Sequence, residues 1–361
     1  MRFGLSAEQE SFDRALGDVL AKAEVPAAVR AWAGGDPGPG LVLWSALAEM
    51  GVTALRVPES HGGVGATALD LVVAFTRLGY HGVPGPWVES AVLAPAVLAA
   101  AGDPDKILGR LADGSARVTL AAPPLSPCAL DADVSERLYL LDGGVVRRGL
   151  PLARRESVDR ARLLTVLGAG DPVAEIGAAA VGRALDEASL ACAAQLLGAG
   201  RRLLDDSVAY VGVRRQFGRV IGQYQALKHA LADIRVALDF AAPLLHGAAE
   251  ALDADDPLTS LEISAAKVAT ATAATRAART ALQVHGAIGY TEEFDLSIWL
   301  TKVRALAGVW GTSSWHRQRV LDELAERDGL GTGPGPQRPE DTRREDTRRE
   351  DTRRDTREPR P

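Results

Sequence analysis

The stretch VRRQFGRVIGQYQALKHALADI (213–234) interrupts one helical pattern and begins another. Upstream, a long helical segment runs to Gly212. Downstream, apolar residues recur at helical spacing over about 223–251. At the break Gly212, Gly218 and Gly222 interrupt the helix, and Arg214, Arg215 and Arg219 crowd positive charge. A helix N-terminus offers unpaired N–H groups and partial positive charge, and a neighbouring guanidinium adds forked donors that match phosphate oxygens. The break therefore reads either as an anion site or as a polar turn with solvated arginines.

Working outward, a third helix over about 258–284 ends in QVHGAIGYTEEFDLS (283–297), where glycines permit close backbone approach and His285 reads as a packed or capping residue. WLTKVRALAGVWGTSSWHRQ (299–318) is a helical pattern broken from Gly308 to Ser314 and then resumed. Towards the N-terminus, Ser6 and Gln9 form a capping box ahead of Phe12, Leu16, Val19 and Leu20. LVLWSALAEMGV (41–52), a helix from near Thr67, SAVLAPAVLAAAG (90–102) and PDKILGRLADG (104–114) continue the helical pattern, with a short extended piece stopped by Pro58 and Gly62-Gly63. Between about 117 and 177 the character changes: VTLAAP, RLYLLD, GVVRRG and RLLTVL are short, β-rich and separated by Gly, Pro and Asp. The expected architecture is mainly α: an N-terminal helical domain (1–116), a small β domain (117–177) and a C-terminal four-helix bundle (178–329).

Bulk properties narrow the function. The chain has 361 residues, 47% of them apolar, enough for a large core. A net charge of -6 with intermixed signs offers no basic face for nucleic acid. No run approaches the roughly 18 apolar residues of a membrane span, and residues 1–12 lack the regions of a signal peptide, which predicts a cytoplasmic protein. Cys128 and Cys192 lie in apolar surroundings without metal-ligand spacing, so neither a metal nor a nucleophilic thiol is expected. After GLGTGPGPQRP, EDTRR occurs three times from Glu340. With no apolar residue to pack, 330–361 reads as a disordered tail.

The stretches 214–234 and 283–314, at their spacing, resemble the two C-terminal signatures of the acyl-CoA dehydrogenase family, and LAEMGVTALRVPESHGG (47–63) resembles its N-terminal pattern. The resemblance spans about 5–325. It implies the domain order above, tetrameric assembly and FAD at subunit interfaces. Arg214, Gln216 and Phe217 then match contacts to the pyrophosphate and adenosine of a neighbouring subunit's FAD. Gln283 and Gly286 match its adenine end, and Thr312 the threonine touching the flavin of the same subunit. From the residues alone, Thr312 is equally an N-cap.

Two departures qualify the resemblance. In most members the residue before the glycine of the Gly-Thr turn is the glutamate that removes the α-proton of the acyl-CoA while a hydride leaves the β-carbon. Here it is Trp310, whose indole has no basic lone pair. Some members place the base on the first bundle helix, near Ala188 in RALDEASLACAAQLL (183–197). Glu187 is one residue away, about 100° around the helix, and reads either as an atypical base or as a solvated carboxylate beside Asp186. The β domain, about 60 residues, is shorter than in catalytic members. Both departures resemble the short non-catalytic subunits of actinobacterial heterotetrameric acyl-CoA dehydrogenases that shorten steroid side chains. The resemblance implies an α2β2 enzyme in which a catalytic partner supplies the base and this chain supplies the adenine half of an FAD site. The alternatives are an autonomous homotetrameric flavoenzyme using a base such as Glu187, and a purely structural partner.

Overall fold

A computed structural model describes residues 4–291 and 294–327; the tail over 330–361 lies outside the described residues. The N-terminal domain holds α1 (Ala7–Lys22), α2 (Val25–Ala33), α3 (Gly38–Glu49), α4 (Ala68–His81), α5 (Ala94–Ala100) and α6 (Leu108–Ala112). The Ser6 capping box forms as expected: Gln9 N–H donates to Ser6 Oγ at 3.2 Å and Ser6 N–H to Gln9 Oε1 at 3.0 Å. Thr67 and Asp70 build a second one at the start of α4. The piece before Thr67 is not extended: Val52–Ala54 and Glu59–His61 are single 3-10 turns, as the nearby glycines and Pro58 favour. A π-turn at Glu89–Leu93 leads into α5.

The β domain is one five-stranded sheet of β1 (Val118–Ala121), β2 (Cys128–Leu130), β3 (Arg137–Asp142), β4 (Val145–Arg155) and β5 (Leu164–Glu175), in the order β1-β3-β4-β5-β2. β1 and β3 are parallel and the other neighbours antiparallel. The near half of β4 packs on the core, whereas its far half, with Leu150 and Leu152, is exposed.

The C-terminal part holds α7 (Ala178–Val213), α8 (Gln225–Asp253), α9 (Thr259–His285), α10 (Leu296–Leu306) and α11 (Ser313–Arg327). The bundle and the N-terminal domain share one core, continuous from Leu16 to Trp310. α4 and α7 cross where both carry glycine. A Cβ on Gly79 would stand 2.0 Å from the Gln195 carbonyl oxygen, and one on Gly198 1.9 Å from that of Thr76. Only glycine permits that approach. Among the described residues no helix is long and apolar enough to cross a membrane, and no group of three or more His, Cys, Asp or Glu could hold a metal ion.

Candidate functional site

α7 ends at Val213, and Arg214 leaves it in an extended conformation. β6 (Arg215–Gln216) and β7 (Arg219–Val220) then form a small hairpin whose tip is Phe217-Gly218, both with positive φ. Phe217 is 90% exposed. Arg214, Arg215 and Gln216 are also exposed, and the Arg219 guanidinium lies 3.9 Å from the centroid of the Tyr224 ring. Exposing a phenyl ring and several cations together leaves apolar area and charge open to solvent among the described residues.

The end of α9 lies beside this hairpin. His285 is buried, its Nδ1 2.8 Å from the Ala281 carbonyl oxygen, and its ring stacks on Tyr210 with centroids 4.2 Å apart. This contact brings the last turn of α7 to the last turn of α9. Arg214, Gln216, Phe217, Gln283 and Gly286 thus share one end of the bundle. Gln283 is exposed, and Gly286 has φ 63 with no atom within 4 Å of a would-be Cβ, so its backbone is open to approach.

Thr312 lies elsewhere. The turn before it is fixed to Ser189, 21 residues before Tyr210 on α7, which is on the order of 30 Å along the helix. Thr312 is exposed, and its Oγ1 accepts from Trp315 N–H at 3.2 Å as the N-cap of α11. The chain therefore brings five of the six expected cofactor residues together and holds the sixth apart.

Trp310 is 1% exposed, and its Nε1–H has no partner among the described residues. Trp310 and Gly311 have φ values of 55 and 93, and a Cβ on Gly311 would stand 2.4 Å from His316 Nε2. This left-handed turn is clamped at its carbonyl by two side chains. The Trp310 carbonyl accepts from Ser189 Oγ at 3.1 Å and from His316 Nε2 at 2.9 Å. With Nε2 facing a carbonyl, the proton belongs there, and Nδ1 accepts from Ser264 Oγ at 3.1 Å. Burial pushes His316 down to about 4, so it is neutral. On the approach to the turn, the Leu306 carbonyl at the end of α10 accepts from buried Lys267 Nζ at 2.9 Å and from the Cys192 thiol at 3.4 Å. Burial lowers the Lys267 pKa and raises that of Cys192. Sequence reasoning missed Ser189, Ser264, Lys267 and His316; the available signal was polar residues set into small apolar runs.

Glu187 is not a solvated carboxylate, and neither is Asp186. Glu187 is buried and bidentate with Arg56, at 3.0 Å from Nε and 2.9 Å from Nη2, with Arg183 Nε at 3.3 Å. Asp186 is buried against Arg319 and accepts from Ser260 Oγ at 2.7 Å.

Residues 175–325 match the acyl-CoA dehydrogenase C-terminal domain, and residues 6–115 its N-terminal domain. Over 325 residues the sequence is 30% identical to acyl-CoA dehydrogenase IpdE2 of Mycobacterium tuberculosis, covering 88% of this chain and 98% of that protein. The chain belongs to the acyl-CoA dehydrogenase family. IpdE2 of Mycolicibacterium smegmatis is likewise 30% identical, over 89% of this chain and 100% of that protein. Among solved structures, the Tcur3481-Tcur3483 steroid ACAD superposes with TM-score 0.78 at 23% identity, covering 89% of this chain and 99% of that one. The ChsE4-ChsE5 complex of Mycobacterium tuberculosis does so at TM-score 0.75 and 22% identity, over 90% and 99% of the respective chains. These likenesses confirm the acyl-CoA dehydrogenase fold expected from the sequence, with its two helical domains around a small sheet.

Proposed function

We propose that this acyl-CoA dehydrogenase family chain is the non-catalytic subunit of a mixed α2β2 assembly, giving the adenine and diphosphate half of an FAD site to a partner that carries the base. The observation carrying this reading is Trp310: the position before the Gly-Thr turn holds a buried indole whose backbone is gripped by Ser189 and His316. No proton can be abstracted there. The pairing of Glu187 with Arg56 speaks against the autonomous reading, because a buried carboxylate held by two guanidinium N–H groups is not free to reach a substrate.

The exposed end of the bundle fits an adenine dinucleotide. Arg214 provides forked donors for a diphosphate, Phe217 an open ring face for adenine, and Gln283 and Gly286 a polar side chain and an unobstructed backbone. All of them face away from the core, as a group held mostly by a neighbouring subunit requires. When bound, FAD supplies the hydride acceptor for acyl-chain oxidation. This chain's part is to orient its distant half, while the partner holds the acyl-CoA and takes the α-proton. The steroid ACAD likeness and the two-subunit complexes among the similar structures support a bulky, steroid-like acyl-CoA and a heteromeric partner.

The test is Arg214→Ala in the co-expressed assembly. Loss of two charge-assisted hydrogen bonds, about 2–3 kcal/mol, weakens FAD roughly 30-fold to 150-fold. An unchanged flavin content in an intact tetramer would instead favour a purely structural subunit.

A further inference from the structure

A cleft of about 680 Å³ runs between α9 and α10 beside Val158 of the β4–β5 loop. Thr275, Ala278, Arg279 and Leu282 line one wall at helical spacing, and Leu300, Thr301, Val303, Arg304, Ala307 and Gly308 the other. Arg279 on α9 and Arg304 on α10 line the same cleft from its two walls. The volume falls in the range of small-molecule sites, which bring a few polar groups to an apolar floor.

The charge is one-sided. Among the described residues no carboxylate lines this cleft, and neither Arg279 nor Arg304 makes a hydrogen bond or ion pair. Their neighbours do: Arg276, one turn earlier on α9, holds Asp233 at 2.7 Å, and Lys302 holds Asp159 at 3.2 Å. The cleft between α1, α4, α7 and α8 offers a contrast, since its Arg77 and Arg235 pair with Asp13 and Asp239, which line the same cleft. Two guanidinium groups with no partner among the described residues, over an apolar floor, select an oxyanion attached to an apolar body.

We infer that the α9–α10 cleft binds an amphipathic organic anion, its carboxylate or phosphate held between Arg279 and Arg304 and its apolar body lying on Ala278, Leu282, Leu300 and Val303. The inference does not depend on the FAD reading, because none of these residues belongs to the proposed half-site.

The test is calorimetric titration of the full chain with cholate below its micelle-forming concentration and, separately, with coenzyme A. One-to-one binding of either that the Arg279 and Arg304 substitutions weaken supports the site, cholate identifying a carboxylate source and coenzyme A a phosphate one. Arg279→Gln and Arg304→Gln should each weaken binding roughly tenfold or more. Arg276→Gln should leave it unchanged. Both arginines are exposed, so the variants should keep the wild-type circular dichroism spectrum. Failure of both anions to bind, or binding indifferent to the Arg279 and Arg304 substitutions, overturns the inference.

Discussion

Trp310 combines a left-handed backbone, a buried indole and a carbonyl held by two side chains. A non-glycine residue in that conformation costs roughly 1–2 kcal/mol, offset here by burial of the largest side chain. Trp310→Ala is therefore expected to lower unfolding free energy by about 3–5 kcal/mol, read from the midpoint of a urea titration at unchanged slope. His316 gives the turn a pH dependence. Its folded pKa, about 4, lies below that of an unfolded histidine, near 6.5, so the unfolded chain takes up the proton first as pH falls. Its contribution is complete above about 6.5 and drains towards 4, by about 2–3 kcal/mol. His81, lowered to about 4, acts in the same direction. Buried Asp131, raised to about 7 chiefly by desolvation, acts oppositely, its stabilising protonated state being lost as pH rises. Both cancel when wild type is compared with His316→Asn. The stability gap between those two proteins should shrink from pH 7 to pH 4.5, and a constant gap would refute the assignment.

At the level of elements, the α4–α7 crossing ties the N-terminal domain to the bundle. Gly198→Ala would drive a methyl group into the Thr76 backbone, which cannot rotate away, and should cost about 1–3 kcal/mol or more in thermal or urea unfolding. The long helices were legible because their apolar spacing persists for many turns: α8 and α9 begin and end within about two residues of the sequence reading. β2 escaped notice because three residues carry no periodicity, and the 3-10 turns around Pro58 looked extended because a short run before proline has the same composition. At the site, the break after α7 was legible from its arginines and glycines, but not its form as a β6–β7 hairpin, whose two-residue strands carry no periodicity. The clamp on Trp310 was not: Ser189, Ser264 and His316 come from three helices, and only folding brings them together. The ion pair of Glu187 was hidden for the same reason, since Arg56 lies 131 residues away.

At the scale of the whole molecule, the described residues present an exposed end of the bundle bearing Arg214 and Phe217 and, about 30 Å along α7, the turn that holds the buried Trp310. Under the proposed function, the FAD site is completed only against another subunit. The exposed Phe217 and its neighbouring arginines should become protected in that assembly, which hydrogen exchange across 214–223 would register as slowed backbone exchange relative to the isolated chain. The most direct measurement of the central claim is flavin absorbance, with mass and dehydrogenase activity on the same samples. It compares the chain purified alone with the chain co-expressed with a glutamate-bearing acyl-CoA dehydrogenase from the same genome. The account predicts a colourless isolated chain and a yellow, active mixed tetramer; a yellow, active isolated chain would contradict it.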